Sequence, residues 1–183
     1  AVVVAPGDAE ARGQSPEGGA RAAGFEDHKV VAVAQELALE VVEAAYRATS
    51  GVVIVDEAYA EFSDEPSACS LLADRERLIV VRTLSKALEL AGARIGYVVA
   101  NPSVVDALQL VRLPYHLSAV SQSTALAALS HAGELLRWVE ELKIQRDRMA
   151  VELEALGYDV IESDANFVLF GGVADQSALW QQL

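Results

Sequence analysis

The chain has 183 residues, 52% of them hydrophobic, with 27 Asp and Glu against 14 Lys and Arg, a formal net charge of −13 and a pI near 4.5. That composition can bury a sizeable core and argues against a disordered chain, while the acidic balance argues against a nucleic-acid partner, which needs a basic surface. The single cysteine, Cys69, leaves no internal disulfide and no Cys-based metal cluster.

A lone cysteine suits a reducing cytoplasm, the expected location. No apolar run approaches membrane-spanning length, and the start AVVVAPG lacks the charged region and long apolar core of a signal peptide.

Residues 1–30 read as a poorly ordered or degenerate N-terminal segment. Ala1–Ala5 can form a short strand ended by the turn signal Pro6-Gly7-Asp8, and Phe25 is the only large apolar residue from Asp8 to Asp27. Gly13, Gly18 and Gly19 match neither the dinucleotide nor the Walker spacing. From Lys29 to Ser50, Val30, Val33, Leu37, Val41, Ala44 and Ala45 recur at helical spacing, and Gly51 is expected to close that helix. Val52–Val55 and Leu78–Val81 are short Val/Ile-rich runs, expected to be buried strands. Between them Phe62–Glu76 reads as a polar connection whose final charged group, Asp74 to Arg77, is a solvated turn.

Ile95–Ala100 reads as a third strand, and the short link before it predicts antiparallel pairing. Asn101-Pro102 opens a helix to Val111, and Ser118 caps a second reaching His131. A long helix is expected from Gly133 to Leu156, stopped by Gly157. Its Leu135, Val139, Leu142, Met149, Leu153 and Leu156 form a near-heptad stripe, interrupted at Arg146 and expected to face a core. Tyr158–Ile161 and Asn166–Phe170 read as strands of a new sheet, and Ala174 onward as a helix. The alternation predicts an α/β unit over 31–132, then a bridging helix and the start of a smaller α+β lobe over 133–183.

The chemistry concentrates at the C-terminal ends of the first two core strands, where open α/β sheets place their ligand crevice. Asp56, Glu57 and Tyr59 follow the first; Arg82, Thr83, Ser85 and Lys86 follow the second, with Arg94 eight residues on. A lysine at a buried strand end is a candidate for Schiff-base chemistry, in which the neutral amine is the nucleophile. A pyridoxal phosphate site needs such a lysine and a carboxylate for the pyridine nitrogen. It also needs a donor for the ring oxygen, hydroxyls for the phosphate and a fixed cation. Lys86, Asp56, Tyr59, Ser85 with Thr83, and Arg94 supply these in turn. Asp56 and Glu57 lack a third ligand at metal spacing, so no metal is expected. His28, His116 and His131 have no Ser or Cys partner in a triad arrangement.

The runs DEAYAEF, RTLSKA and AGARIGY, with Lys86 thirty residues after Asp56, resemble the fold-type I pyridoxal-phosphate aminotransferases. Within these, VVDALQLVRLPYHLSAVSQSTALAAL and ESDANFVLFG are most similar to the histidinol-phosphate branch. The resemblance covers Thr49 to Leu183. It implies the large lobe of that fold, a three-layer sandwich with a mixed, mostly parallel sheet, plus part of the small lobe. It also implies pyridoxal phosphate as cofactor, a small-molecule substrate and a homodimer. The reaction implied is amino transfer between histidinol phosphate or imidazole-acetol phosphate and glutamate or 2-oxoglutarate, in histidine biosynthesis. Alternatives are an aromatic amino acid aminotransferase and a truncated, non-catalytic copy.

By position, Lys86 is the implied catalytic and cofactor-bearing lysine and Asp56 the partner of the pyridinium nitrogen. Tyr59 is the donor to the ring oxygen, and Thr83, Ser85 and Arg94 are the phosphate ligands. Tyr115 and His116 fall in a segment that lines the pocket mouth or a subunit contact. Three departures stand out. The family's asparagine-rich segment has no counterpart in APGDAEARGQSPEGG, and the arginine for the substrate carboxylate would lie beyond Leu183. Glu89 occupies a position where the family has a small residue.

Overall fold

The computed structural model describes residues 2–4 and 38–182; the expectations for Ala5–Leu37 lie outside the described residues. The central sheet has four strands in the order β1 (Val2–Val4), β2 (Val53–Asp56), β3 (Leu78–Thr83) and β4 (Gly96–Ala100). β2 and β3 run parallel, with Val53 opposite Leu78 and Asp56 opposite Val81. β1 pairs antiparallel with β2, and β4 antiparallel with β3, as its short link predicts. The sheet is therefore mixed, and β2–β3 is its one parallel pairing among the described residues.

Helix α1 (Leu39–Ala48) packs on the sheet. Ala38 (φ −55°, ψ 144°) precedes its first turn, and the helix ends at Thr49 rather than at Gly51. Val42, Val53, Val55, Ala68, Leu78 and Val80 form the core between helix and sheet, with Cys69 packed against them. Each large side chain buried there contributes about 1.5–3 kcal/mol. The Asp74–Arg77 group is not the solvated turn expected. Arg75 pairs with Glu43 at 2.6 Å. The Arg77 guanidinium lies 4.1 Å from the Tyr46 ring centroid and donates to the carbonyls of Tyr46, Thr49 and Gly51. These arginines staple α1 to the start of β3.

Capping signals place the later helices. α2 (Pro102–Val111) starts with the Asn101 side chain accepting from Ser103 N–H at 3.1 Å. α3 (Ala119–Ser130) starts with Ser118 Oγ accepting from Ser121 N–H at 3.0 Å. α4 (Ala132–Ala155) ends where Tyr158 N–H reaches the Leu153 carbonyl and Gly157 N–H the Glu154 carbonyl, with Gly157 at φ +91°. That pair of bonds needs a left-handed residue, which glycine adopts without a Cβ penalty. The α4 stripe is a correction. Val139 is buried (2% exposed), but Leu142, Met149 and Leu156 are exposed. The elements packed on α4 are narrower than the stripe.

A second sheet, β5 (Asp159–Ile161) antiparallel to β6 (Leu169–Gly171), follows, then α5 (Gln176–Gln182). Asn166–Val168, expected in the strand, forms a turn closed by Ser163 Oγ donating to the Phe167 carbonyl at 2.8 Å. Among the described residues no helix is long and apolar enough to cross a membrane.

Candidate active site

Parallel pairing of β2 with β3 brings the two chemistry-bearing strand ends side by side. Asp56, the last residue of β2, is exposed, and its Oδ1 accepts from Ala58 N–H at 3.1 Å, turning the chain toward Tyr59. The Tyr59 ring meets Phe62 at 6.3 Å and Phe167 edge-on at 5.7 Å. It belongs to a small apolar cluster of Phe62, Ala87 and Val139. Lys86, in the turn after β3, is partly buried with Nζ 5.1 Å from the Tyr59 centroid, within cation–π range. The structure thus brings Lys86 and Tyr59 together from different strands.

Thr83 and Ser85 form a hydroxyl pair at 2.9 Å. Thr83 Oγ1 accepts from Ser85 N–H at 3.1 Å and lies 3.2 Å from the Ile95 carbonyl. Leu84 N–H donates to the same carbonyl at 3.1 Å. The loop from Leu84 to Ile95 is thereby folded back, so Arg94, the neighbour of Ile95, returns to the level of the hydroxyl pair. Arg94 is exposed and left-handed (φ 53°), with NH1 donating to the Ala91 carbonyl at 3.2 Å. Gly96 is required here, because a Cβ on it would sit 2.7 Å from the Arg82 carbonyl oxygen. Glu89 also sits at positive φ (57°). The left-handed region penalises a Cβ, which fits the small residue that the resemblance implies at this position. Tyr115 (99% exposed) and His116 stand clear on the surface.

Glu57 and Arg82 do not join the other strand-end groups. Glu57 is 3% exposed and turned to the opposite side from Asp56, as the two-residue period of extended chain dictates. Its Oε2 accepts from Arg82 NH2 at 2.6 Å and Nε at 2.9 Å. Ser67 Oγ and Ala68 N–H complete its shell. Burial pulls the Arg82 pKa down, but hydrogen bonds to Glu57 and the charges of Glu57 and Glu61 outweigh it, and the net shift is upward. Arg146, read only as an interruption of a stripe, has NH1 near the carbonyls of Phe62 (3.3 Å) and Ala165 (3.2 Å), so it ties α4 to both. No group of three metal-type ligands occurs among the described residues.

A mixed α/β sheet with a lysine turn beside an aspartate-bearing strand end is the architecture of the fold-type I aminotransferases. Residues 32–183 match the aminotransferase class I and II family, and the chain belongs to it. Similar proteins include a histidinol-phosphate aminotransferase of Streptomyces avermitilis, 57% identical over 152 residues, covering 83% of this chain and 41% of that protein. One from Nocardia farcinica is 59% identical over 137 residues, covering 74% of this chain and 35% of its own. The crystal structure of histidinol-phosphate aminotransferase from Sinorhizobium meliloti in complex with pyridoxal-5'-phosphate superposes with a TM-score of 0.67. It is 30% identical and covers 74% of this chain and 38% of that one. The chain spans less than half the length of the curated relatives it matches.

Proposed function

We propose that this chain is part of a pyridoxal-phosphate-dependent aminotransferase acting between histidinol phosphate or imidazole-acetol phosphate and glutamate or 2-oxoglutarate, in histidine biosynthesis. The observation that carries the reading is Lys86, held over the Tyr59 ring at the strand end next to Asp56, in a chain whose relatives bear that name. The donor set suits the cofactor: a carboxylate and a phenol follow β2, two hydroxyls and an amine lie at the end of β3 and in the turn after it, and a guanidinium precedes β4.

When bound, pyridoxal phosphate supplies an electron-accepting ring that stabilises negative charge on the substrate's α-carbon. In this reading Lys86 Nζ is the attachment point and moves the proton at that carbon. The Asp56 carboxylate keeps a proton on the pyridine nitrogen, and the Tyr59 hydroxyl donates to the ring oxygen. Ser85 and Thr83 hydroxyls bind phosphate oxygens, and the Arg94 guanidinium balances their charge. The division at 31–132 and 133–183 is part of the same proposal, as are a cytoplasmic location and pairing of two chains. Exposed apolar side chains on α2 and α3, Leu110 and Val120 among them, support a partner surface.

The test is a pyridoxal phosphate titration of the chain and of Lys86→Ala. The parent is expected to give a visible absorption band that survives dialysis and is trapped by borohydride at Lys86, with no band in the variant. Turnover with histidinol phosphate, against an aromatic amino acid, then separates the two substrate readings. A band unchanged in Lys86→Ala, or none in the parent, would replace the proposal with a non-catalytic chain that keeps the fold.

A further inference from the structure

The Glu57–Arg82 ion pair has no part in the chemistry above, yet each member is chained to a residue that does. Glu57 directly follows Asp56, and Arg82 directly precedes Thr83 and the Ser85–Lys86 turn. The last paired position of β2 and β3 is Asp56 opposite Val81, extended one step by Glu57 N–H donating to the Val81 carbonyl at 2.9 Å. Beyond it the two chains part, one turning toward Tyr59 and the other toward Lys86. The carboxylate and guanidinium close this fork. Two Arg82 nitrogens converge on one Glu57 oxygen, and Ser67 Oγ (2.8 Å) and Ala68 N–H (2.6 Å) hold the carboxylate from behind. Arg82 NH1 reaches on to Glu61 at 3.3 Å.

We propose that Glu57 and Arg82 are positioning residues whose partly buried ion pair clamps the C-terminal ends of β2 and β3, and so sets where Asp56 stands relative to Lys86. What is positioned rests on the amino-transfer reading; the clamp rests on geometry alone. Stability is a poor account of the pair. The strands are already held by their ladder and by Val53, Val55, Leu78 and Val80 in the core, and a buried ion pair gains little over an apolar pair of the same shape. Its distinctive property is direction. The guanidinium presents its donors in a rigid fork, and lysine in its place keeps the charge without the fork. Twisted parallel strands diverge where their ladder ends, which is where this pair sits.

The experiment compares the 183-residue chain with Glu57→Gln, Arg82→Lys and, as a control, Glu61→Gln. Amide hydrogen exchange is read without cofactor, and pyridoxal phosphate capture at Lys86 is read by titration and borohydride trapping. In Glu57→Gln, exchange at Ala58, Leu84 and Ser85 is expected to quicken by about tenfold or more, with amides inside β2 and β3 unchanged. Affinity for pyridoxal phosphate is expected to fall by about tenfold in the same variant. Arg82→Lys should fall between parent and Glu57→Gln, and Glu61→Gln should stay near the parent. A uniform rise across all amides, or no change at Ala58 and Ser85, would overturn the clamp. Should Glu57→Gln not fold, Arg82→Lys carries the same comparison. If the parent captures no cofactor at Lys86, the amino-transfer reading fails, and the exchange pattern still decides the clamp.

Discussion

Replacing Gly96 with alanine tests whether the lysine turn depends on the approach of β4 to β3. The added Cβ would lie 2.7 Å from the Arg82 carbonyl oxygen and 3.8 Å from Thr83 Cα. Both are backbone atoms that cannot rotate aside, so β4 must retreat by several tenths of an ångström. Overpacking of this kind costs about 1–3 kcal/mol. The retreat also stretches the Leu84 N–H and Thr83 hydroxyl contacts to the Ile95 carbonyl, at 3.1 and 3.2 Å, worth about 0.5–1.5 kcal/mol each when fully lost. Partial loss of both brings the total to about 2–3 kcal/mol. For a chain of this size that is a fall of about 4–12 °C in Tm. Gly92→Ala is the matched control, since its Cβ would meet nothing within 4 Å; its effect is expected to be within about 1 kcal/mol of zero and stabilising in sign. Urea unfolding of the three proteins decides the matter. If Gly96→Ala unfolds within about 0.5 kcal/mol of the parent, inside the range of an ordinary surface substitution, the reasoning about that approach is refuted.

Glu89→Gly should stabilise the chain by about 0.5–1 kcal/mol, as relief of a left-handed Cβ exceeds the added freedom of the unfolded glycine; thermal unfolding measures it, and a loss of stability would contradict the strain at φ 57°. Arg77→Met should cost about 2–4 kcal/mol through the lost ring contact and charged hydrogen bonds. A double-mutant cycle with Tyr46→Leu isolates the ring share, and zero coupling would remove the ring contact from the staple between α1 and the sheet. The exposed Asp64 carboxylate is held below its ordinary pKa of 3.8 by a hydrogen bond and the charge of Lys143, and Lys143 is raised above 10.5 by the same hydrogen bond despite its desolvation. A depressed acid stabilises the fold above its unfolded pKa and loses that contribution as pH falls through the folded one; a raised lysine loses its contribution as pH rises through its folded pKa. The unfolding midpoints of the parent and Asp64→Asn should therefore differ by a constant amount between about pH 4 and 10, converging on either side. A difference independent of pH would exclude the pair as its source.

What could be read without the structure was local. Asn101-Pro102, Ser118 and Gly157 each act on backbone groups within a few residues, so helix ends followed from chain-neighbour geometry. The Val/Ile runs of β2 and β3 could be placed because full burial selects them in any tertiary setting, and the short link to β4 left only antiparallel pairing. The candidate residues Asp56, Tyr59, Thr83, Ser85, Lys86 and Arg94 were singled out through spacing and resemblance.

The tertiary structure alone decided which polar groups face inward. Glu57 and Asp56 are neighbours of the same chemical type, and only the partner 25 residues away, Arg82, distinguishes the buried carboxylate from the exposed one. Arg146 marked a break in a pattern until the Phe62 carbonyl, 84 residues distant, gave its guanidinium an acceptor. The Arg75 and Arg77 side chains read as solvent-facing until α1 folded against them, and the apolar stripe of α4 read as core although only part of it is covered. Propensity, capping and periodicity act over one or two turns of chain. The desolvation that assigns a charge to a buried pair, or leaves a leucine exposed, depends on what the fold brings against it.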